Sequence, residues 1–546
     1  MTYGTFVEEL FACLFIRNLK TSDRSLEFRQ LRASLVKRMH EILASLSSRG
    51  SVVISPDSVH IIGTPQEFYE QLMINELSGA LKRQEGLEVT VLIDYFRGTR
   101  GGIKSSLNLL KRLLPRASIY LFHTPMLRGW LRKLLPERSN EIIGLQHMKL
   151  YIFDDSVIIS GANLSETYFT NRQDRYILFE HCKELADFLE KLIQIISSCS
   201  FQLKPDGNLA LHDNCTVHPA EGSAIKYWEM AHNRLFQHLN SLPVEENINF
   251  DSECTRVYPL LQMGVFGINQ EHDFLIHLFS LKDCTVKITI ASGYLNFVED
   301  YIKLISNFGT YSMDIVFASP QANGFHEGSG MSGYIPAMYV NLSRQFFCSA
   351  RDKVRLFEYS RPSWSFHGKG LWIESASSNI VATLVGSSNY GYRSLGRDLE
   401  AQVLIVTNNE DLRSRLKQEH KRLFEHSSLV DGSTFLRPDH RIPLWIRMVA
   451  VYRFTEIHLG SFIARLKLLQ TLVAVELCRY FNRLIGVIAM DESNKLVRVG
   501  YLSFWGARRN RFMKLEDVVP LSDTVSNTSD VIVKFHQYSR YFFFIL

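Results

Sequence analysis

The sequence predicts an α/β protein: two duplicated sandwich domains sharing one active site, plus a C-terminal extension. Two stretches follow one plan. GLQHMKLYIFDDSVIISGANLSETYFTNRQDRY (144–176) and FHGKGLWIESASSNIVATLVGSSNYGYRSLGRDLEAQVLI (366–405) each read as strand, turn, strand and loop. Each also carries an H-x-K pair and a later G/S-x-N turn. The segments preceding the two stretches match in order, which marks an internal duplication of about 180 residues. With 546 residues, 46% of them hydrophobic, the chain has material for more than one core.

The elements run as follows. SVVIS (51–55) and VHII (59–62) are short strands around Pro56, and residues 63–84 are helical after Pro65. LEVTVLIDYF (87–96) is a buried strand, followed by the loop Arg97–Gly102, a helix (104–114), the strand RASIYLFH (116–123) and a basic helix (126–142). The first motif and an amphipathic helix (182–200) complete the first domain, residues 51–200. Residues 201–255 are polar and read as a linker. The second domain, residues 256–430, begins with the strand CTVKITIASGYLNF (284–297) and the helix 298–308. The strand 311–320, a Gly-rich loop, the helix 337–349, VRLFEY (354–359), the second motif and the helix 412–424 follow. One element is unbalanced. KITIASGYLNF has no counterpart in the first domain near Tyr69 to Ile74. Either VVIS or VHII takes that place, or the strand is absent.

Charge and composition narrow the function classes. A net charge of +5 is compatible with anionic ligands or a membrane surface, and equally with a mixed solvated surface. The eight cysteines form no C-x-x-C, so they read as reduced thiols of an intracellular protein. No run of 18 apolar residues occurs, so any membrane association is expected to be peripheral. Residues 1–50 are rich in arginine and serine and read either as an organelle transit segment or as a surface helix. No basic patch with interleaved aromatics points to nucleic acid.

The motif residues define a chemistry. His147 and Lys149, like His367 and Lys369, are two apart on a strand and face one way. One imidazole can attack phosphorus, giving a phosphohistidine, while the other moves a proton. The two lysines, Asn163, Asn389 and Ser388 suit the non-bridging oxygens. Asp154 completes the first motif and Glu374 stands at the matching place in the second. Asp174 and Glu400 each lie eleven residues after the asparagine of their turn. They are expected to orient the histidines, with surface ion pairing as the alternative. Arg97, Arg100 and Arg393 are candidates for anionic substrates or for plain solvation. No metal-ligand spacing is present, and the motif requires no metal or cofactor.

These residues resemble the phospholipase D superfamily, whose two H-x-K-x4-D motifs meet at one site. GTPQEFYE (63–70), FHTPMLRG (122–129), LLPERSNE (134–141), FASPQANGF (317–325), GYIPAMYV (333–340) and GSSNYGYRSLGRDLEAQ (386–402) narrow the likeness to the eukaryotic mitochondrial phosphatidylglycerophosphate synthases. The resemblance covers roughly residues 50–447. It implies transfer of a phosphatidyl group from CDP-diacylglycerol to glycerol 3-phosphate at the mitochondrial inner membrane, on the route to phosphatidylglycerol and cardiolipin. It implies His147 as nucleophile and His367 as acid/base, and leaves open a divalent cation that screens the pyrophosphate. The chain departs from that family in Glu374, in the absent first-domain strand and in residues 450–546. A phosphatidylserine synthase-type transferase, a phospholipase D-type hydrolase and an inactive lipid-binding paralogue are the competing readings.

Overall fold

A computed structural model describes residues 45–74, 87–128, 140–244, 253–443, 446, 485–517 and 532–545, apart from short gaps within these spans. The arginine-rich start and most of the expected basic helix at 126–142 lie outside the described residues. The chain divides into two units, Met1–His458 and Leu459–Leu546.

The first unit contains both halves of the duplication. In the first half the strands are β1 (Val52–Ile54), β2 (Val59–Ile62), β3 (Val89–Asp94), β4 (Ala117–Phe122), β5 (Leu150–Phe153), β6 (Ser156–Ser160), β7 (Arg172–Gln173), β8 (Tyr176–Phe179), β9 (Phe201–Leu203) and β10 (Leu209–Leu211). The second half holds β11 (Thr255–Met263), β12 (Ile268–Asn269), β13 (Val286–Ser292), β14 (Ser312–Ala318) and β15 (Val354–Tyr359). It continues with β16 (Ser365–Phe366), β17 (Lys369–Ser375), β18 (Val381–Gly386), β19 (Glu400–Thr407) and β20 (Ser427–Leu429).

In the second half one continuous sheet runs β1-β11-β19-β18-β17-β13-β14-β15-β20. Its strands β11, β18 and β19 are buried at every position because helices cover one side and the first half covers the other. In β19, Val403 and Ile405 enter the core shared with Val157, Ile177 and Phe179 of the first half. Leu404 and Val406 enter a separate core with Phe274 and Leu278 of the helix Gln270–Phe279. Alternation along the strand thus welds two layers.

The first half repeats this order with a break. Its strands form two sheets, β2-β8-β6-β5 and β10-β9-β4-β3. By position β5 matches β17 and β3 matches β14. In the second half β13 lies between those two, antiparallel to β17 and parallel to β14. Among the described residues no strand occupies that place in the first half. VHII pairs with β8, as β11 pairs with β19. VVIS joins the edge of the other half's sheet, against β11. Of the three possibilities, absence of the strand is therefore the one the described residues fit. Burial shows the consequence: β5 is half-buried throughout, whereas five of the seven residues of β17 are buried.

Residues 201–239 differ from the expected linker. They form β9, β10 and the helix Ala224–Leu239, and β9 pairs with β4. The helix Lys183–Ser197 buries Leu185, Phe188, Leu189, Leu192 and Ile196, its apolar stripe. Tyr227 of the following helix donates to Cys199 O at 2.7 Å, tying the two together. The six described cysteines are free thiols.

The halves are clamped by Arg175. Its side chain is buried, and its Nε and Nη2 donate to the two oxygens of Glu419 at 2.8 Å each. Nη1 donates to Leu384 O at 2.9 Å, and the guanidinium lies 3.9 Å from the Trp372 ring centroid. Gly370 makes room for it: a Cβ there would collide with Nη1. The second unit contains an antiparallel sheet of Ile485–Met490, Leu496–Leu502 and Arg508–Lys514, and a hairpin of Ile532–Gln537 and Arg540–Ile545. Among the described residues no helix is long and apolar enough to cross a membrane.

The break in the first sheet predicts uneven protection. Backbone amides of β3 and β5 should exchange with deuterium on the order of tenfold faster than those of β14 and β17. Equal protection in the two halves would contradict the missing-strand description.

Candidate active site

Each histidine is fixed by the opposite half. The N–H of His147 donates to Leu399 O at 3.0 Å, and Leu399 precedes Glu400. The N–H of His367 donates to Gln173 O at 2.7 Å, and Gln173 precedes Asp174. The second of these bonds extends the parallel pairing of β16 with β7. The side chains repeat the exchange. His147 Nδ1 donates to Glu400 Oε2 at 2.9 Å, and His367 Nδ1 donates to Asp174 Oδ2 at 2.7 Å. Asp174, its pKa lowered by Lys369 and His367, is ionised and only accepts, which assigns the His367 proton to Nδ1 and leaves Nε2 with a lone pair; an ionised Glu400 does the same for His147, although burial raises the Glu400 pKa.

The lysines lie within the same cluster. Lys369 Nζ is 2.6 Å and 3.0 Å from the two ring nitrogens of His367 and 3.7 Å from Asp174 Oδ2. Lys149 Nζ donates to His147 O at 2.5 Å. The turns are built around these contacts. A Cβ on Gly161 would lie 2.7 Å from Asp174 Oδ1 and 2.9 Å from Lys369 Cδ, so no side chain fits there. Ser387 and Ser394 donate to Glu400 at 2.5 Å and 2.7 Å. Asn163 and Asn389 occupy matching, half-buried positions after their turns, and Asn389 Oδ1 has no partner among the described residues. Ser388 is buried and accepts from Tyr390 N at 3.1 Å, so its hydroxyl serves the turn.

Burial governs the electrostatics. Desolvation, then Lys149, holds His147 well below the ordinary 6.5. Desolvation, then Lys369, takes His367 down to about 3, outweighing Asp174. Burial also lowers Lys369 to about 8, against the pull of Asp174 and Glu400. For Asp174, burial is outweighed by Lys369 and His367, and its pKa falls. Both imidazoles are therefore neutral at physiological pH, the state required of a nucleophile and of a base.

Other expected residues fall elsewhere. Asp154 is exposed in the β5–β6 turn at φ 51°. Glu374 lies near the end of β17, 3.7 Å from Lys417 and 3.8 Å from His420. Neither acid reaches a histidine of the motif, because the strand carries each of them away from it. Arg97 and Arg393 are close enough to His147 to lower its proton affinity, and Arg393 pairs with Asp398 at 3.0 Å. Arg100 caps the short helix Tyr95–Thr99 and is not among the groups acting on either histidine. His147, Asp398 and Glu400 are close enough together to share a cation. Their oxygens are, however, engaged: Asp398 accepts from Leu145 N and Arg393, and Glu400 accepts from His147 and the two serines.

Three residues escaped the sequence reading. Tyr168 places its hydroxyl 3.2 Å and 3.3 Å from the nitrogens of His367. It follows Asn163 by five residues, as Ser394 follows Asn389, so the offset was available as a signal. Asp94 accepts from Gln146 N at 3.1 Å and steadies the approach to His147. Arg172, at the start of β7, lies over the Tyr168 ring at 4.7 Å.

Two H-x-K units converging from duplicated halves, each histidine backed by the other half's carboxylate, define a phosphoryl-transfer enzyme of the phospholipase D superfamily. No protein-family profile matches the chain. It is 38% identical over 464 residues to the mitochondrial CDP-diacylglycerol–glycerol-3-phosphate 3-phosphatidyltransferase of Gallus gallus, covering 72% of this chain and 83% of that one. The Homo sapiens protein of the same name is 40% identical over 418 residues, covering 70% and 75%. The Saccharomyces cerevisiae enzyme is 34% identical over 404 residues, covering 67% and 77%. The chain belongs to the CDP-diacylglycerol–glycerol-3-phosphate 3-phosphatidyltransferase family. The crystal structure of phosphatidylserine synthase from Haemophilus influenzae matches the fold with a TM-score of 0.58 at 18% identity, over 80% of this chain and 99% of that one.

The titration of the site sets a pH profile. A histidine pKa depressed below 6.5 keeps the imidazoles neutral on the acid side, so no acid limb should be seen near 6.5. A Lys369 pKa near 8 means its charge is lost as pH rises through that value, and activity should decline there. kcat/KM measured across the range should hold its plateau down to about pH 5.5. An acid limb centred on the ordinary histidine value would contradict the assignment.

Proposed function

We propose that this enzyme transfers its phosphatidyl group through a phosphohistidine formed on His147. The overall reaction is that of the family: CDP-diacylglycerol and glycerol 3-phosphate give phosphatidylglycerophosphate and CMP. In the first step His147 Nε2 attacks the phosphorus that carries diacylglycerol. A P–N bond forms, the P–O bond to CMP breaks, and CMP leaves with the electron pair. CMP is a good leaving group, so a neutral His367 is no handicap. In the second step the primary hydroxyl of glycerol 3-phosphate attacks the same phosphorus. The P–N bond breaks, His147 regains its lone pair, and the hydroxyl proton passes to His367.

The observation that carries this reading is the pair of imidazoles, each bonded through Nδ1 to the other half's carboxylate, an arrangement that leaves Nε2 for the phosphorus or the proton. Lys149, Lys369, Asn163 and Asn389 supply the positive and polar groups for the non-bridging oxygens. The chemistry of these residues asks for no metal or other cofactor, and a divalent cation that screens the CDP pyrophosphate is compatible with it. Because the donor is a lipid, the enzyme works as a peripheral protein at a bilayer. The relatives named mitochondrial support the mitochondrion, and we assign the inner membrane on the destination of the product.

Labelled CDP-diacylglycerol offered with glycerol 3-phosphate, serine or water tests this reading. Lipid product should depend on glycerol 3-phosphate. His147→Ala and His367→Ala should each lower its rate on the order of a thousandfold. Product with serine alone, or CMP release that ignores the acceptor, would sink the reading. So would a parent chain without turnover.

A further inference from the structure

The acceptor carries a phosphate that does not react and must be held close to the base. The lysines and asparagines of the motif serve the phosphorus that does react. A second anion site is therefore required on the His367 side, and the arginines of the site differ in their freedom to supply it. Arg393 is committed to Asp398 at 3.0 Å, and Arg175 to Glu419 at 2.8 Å. Arg172 has no such commitment. Its Nε donates to Ser365 Oγ at 3.0 Å, and among the described residues no carboxylate forms an ion pair with it.

Its position is tied to the base. Arg172 and Asp174 are two apart on the chain, and Gln173 between them accepts from the His367 N–H at 2.7 Å. The guanidinium lies over Tyr168, whose hydroxyl reaches the His367 ring. Tyr294 forms a further wall: its ring centroid is 5.8 Å from that of His367, and it stacks on Tyr339 at 5.0 Å. At the corner between these groups Gly324 offers only bare backbone. A Cβ on Gly324 would lie 3.3 Å from Arg172 Nη2 and 3.0 Å from Tyr294 Oη. The duplication sharpens the point. The residue two before the carboxylate in the second half is Asp398, so this position carries a cation in the first half only.

We propose that Arg172, with Tyr294 beside it, holds the unreacting phosphate of the glycerol 3-phosphate acceptor in the corner left by Gly324, and thereby sets acceptor choice. This rests on the functional reading above. A guanidinium presents paired N–H donors that match phosphate oxygens, and a phenol adds a third donor. The acceptor then lies with its hydroxyl towards His367. Glycerol or serine, lacking that phosphate, would forfeit these bonds.

The test is steady-state kinetics of Arg172→Gln and Gly324→Val with glycerol 3-phosphate, glycerol and CDP-diacylglycerol each varied. KM for glycerol 3-phosphate should rise at least about tenfold in either variant, with kcat at saturating acceptor changed much less. Preference for glycerol 3-phosphate over glycerol should fall by a similar factor. Arg172→Lys should recover part of the loss. An unchanged acceptor KM overturns the assignment, as does a rise confined to KM for CDP-diacylglycerol. Loss of transfer to every acceptor alike also overturns it, since that would place Arg172 in the fold or the chemistry. A parent that makes no acceptor-dependent product refutes the functional reading itself, and this assignment with it.

Discussion

The site depends on a reciprocal exchange of carboxylates. Asp174 of the first half holds His367 of the second, and Glu400 of the second half holds His147 of the first. Neither half is complete alone. Each imidazole is oriented only when the halves are docked, and the same two segments supply the backbone bonds that set the docking register. Burial does the rest. In water a histidine beside an aspartate would gain proton affinity. Here desolvation and the adjacent lysine outweigh the carboxylate, and the ring stays neutral.

This exchange also explains how a broken half-domain can support a working site. Among the described residues, the gap between β5 and β3 lies within the first half's own sheet. His147 is held instead by Leu399 and Glu400 of the second half, and Asp94 holds only the preceding residue, Gln146. Arg175 and Glu419 bind the halves through a buried, fully bonded pair, whose removal on one side would leave an unpaired buried charge costing about 3–5 kcal/mol. The intact second sheet thus acts as the template on which the first half's motif is positioned.

Much of this was legible in the sequence. The repeated H-x-K units, the equal offsets to Asp174 and Glu400, and the imbalance after Tyr69 are all patterns of spacing, and spacing survives in the chain. Which histidine each acid orients was not legible, because the partners lie 193 and 253 residues apart. Tyr168 and Arg172 were missed for another reason. Their counterparts in the second half are Ser394 and Asp398, and a reading that looks for repeated residues passes over positions where the copies diverge. Those positions are where two similar halves acquire different tasks. The polar stretch at 201–239 read as a linker because its strands are three residues each, too short to show a period.

Nitrogen-15 NMR of histidine-labelled protein reads the cross-half pairing itself. At about pH 7 both motif imidazoles should be neutral and protonated on Nδ1. Glu400→Gln should disturb the signals of His147 alone, and Asp174→Asn those of His367 alone. Imidazolium signals in the parent, or each substitution disturbing the histidine of its own half, would contradict the account.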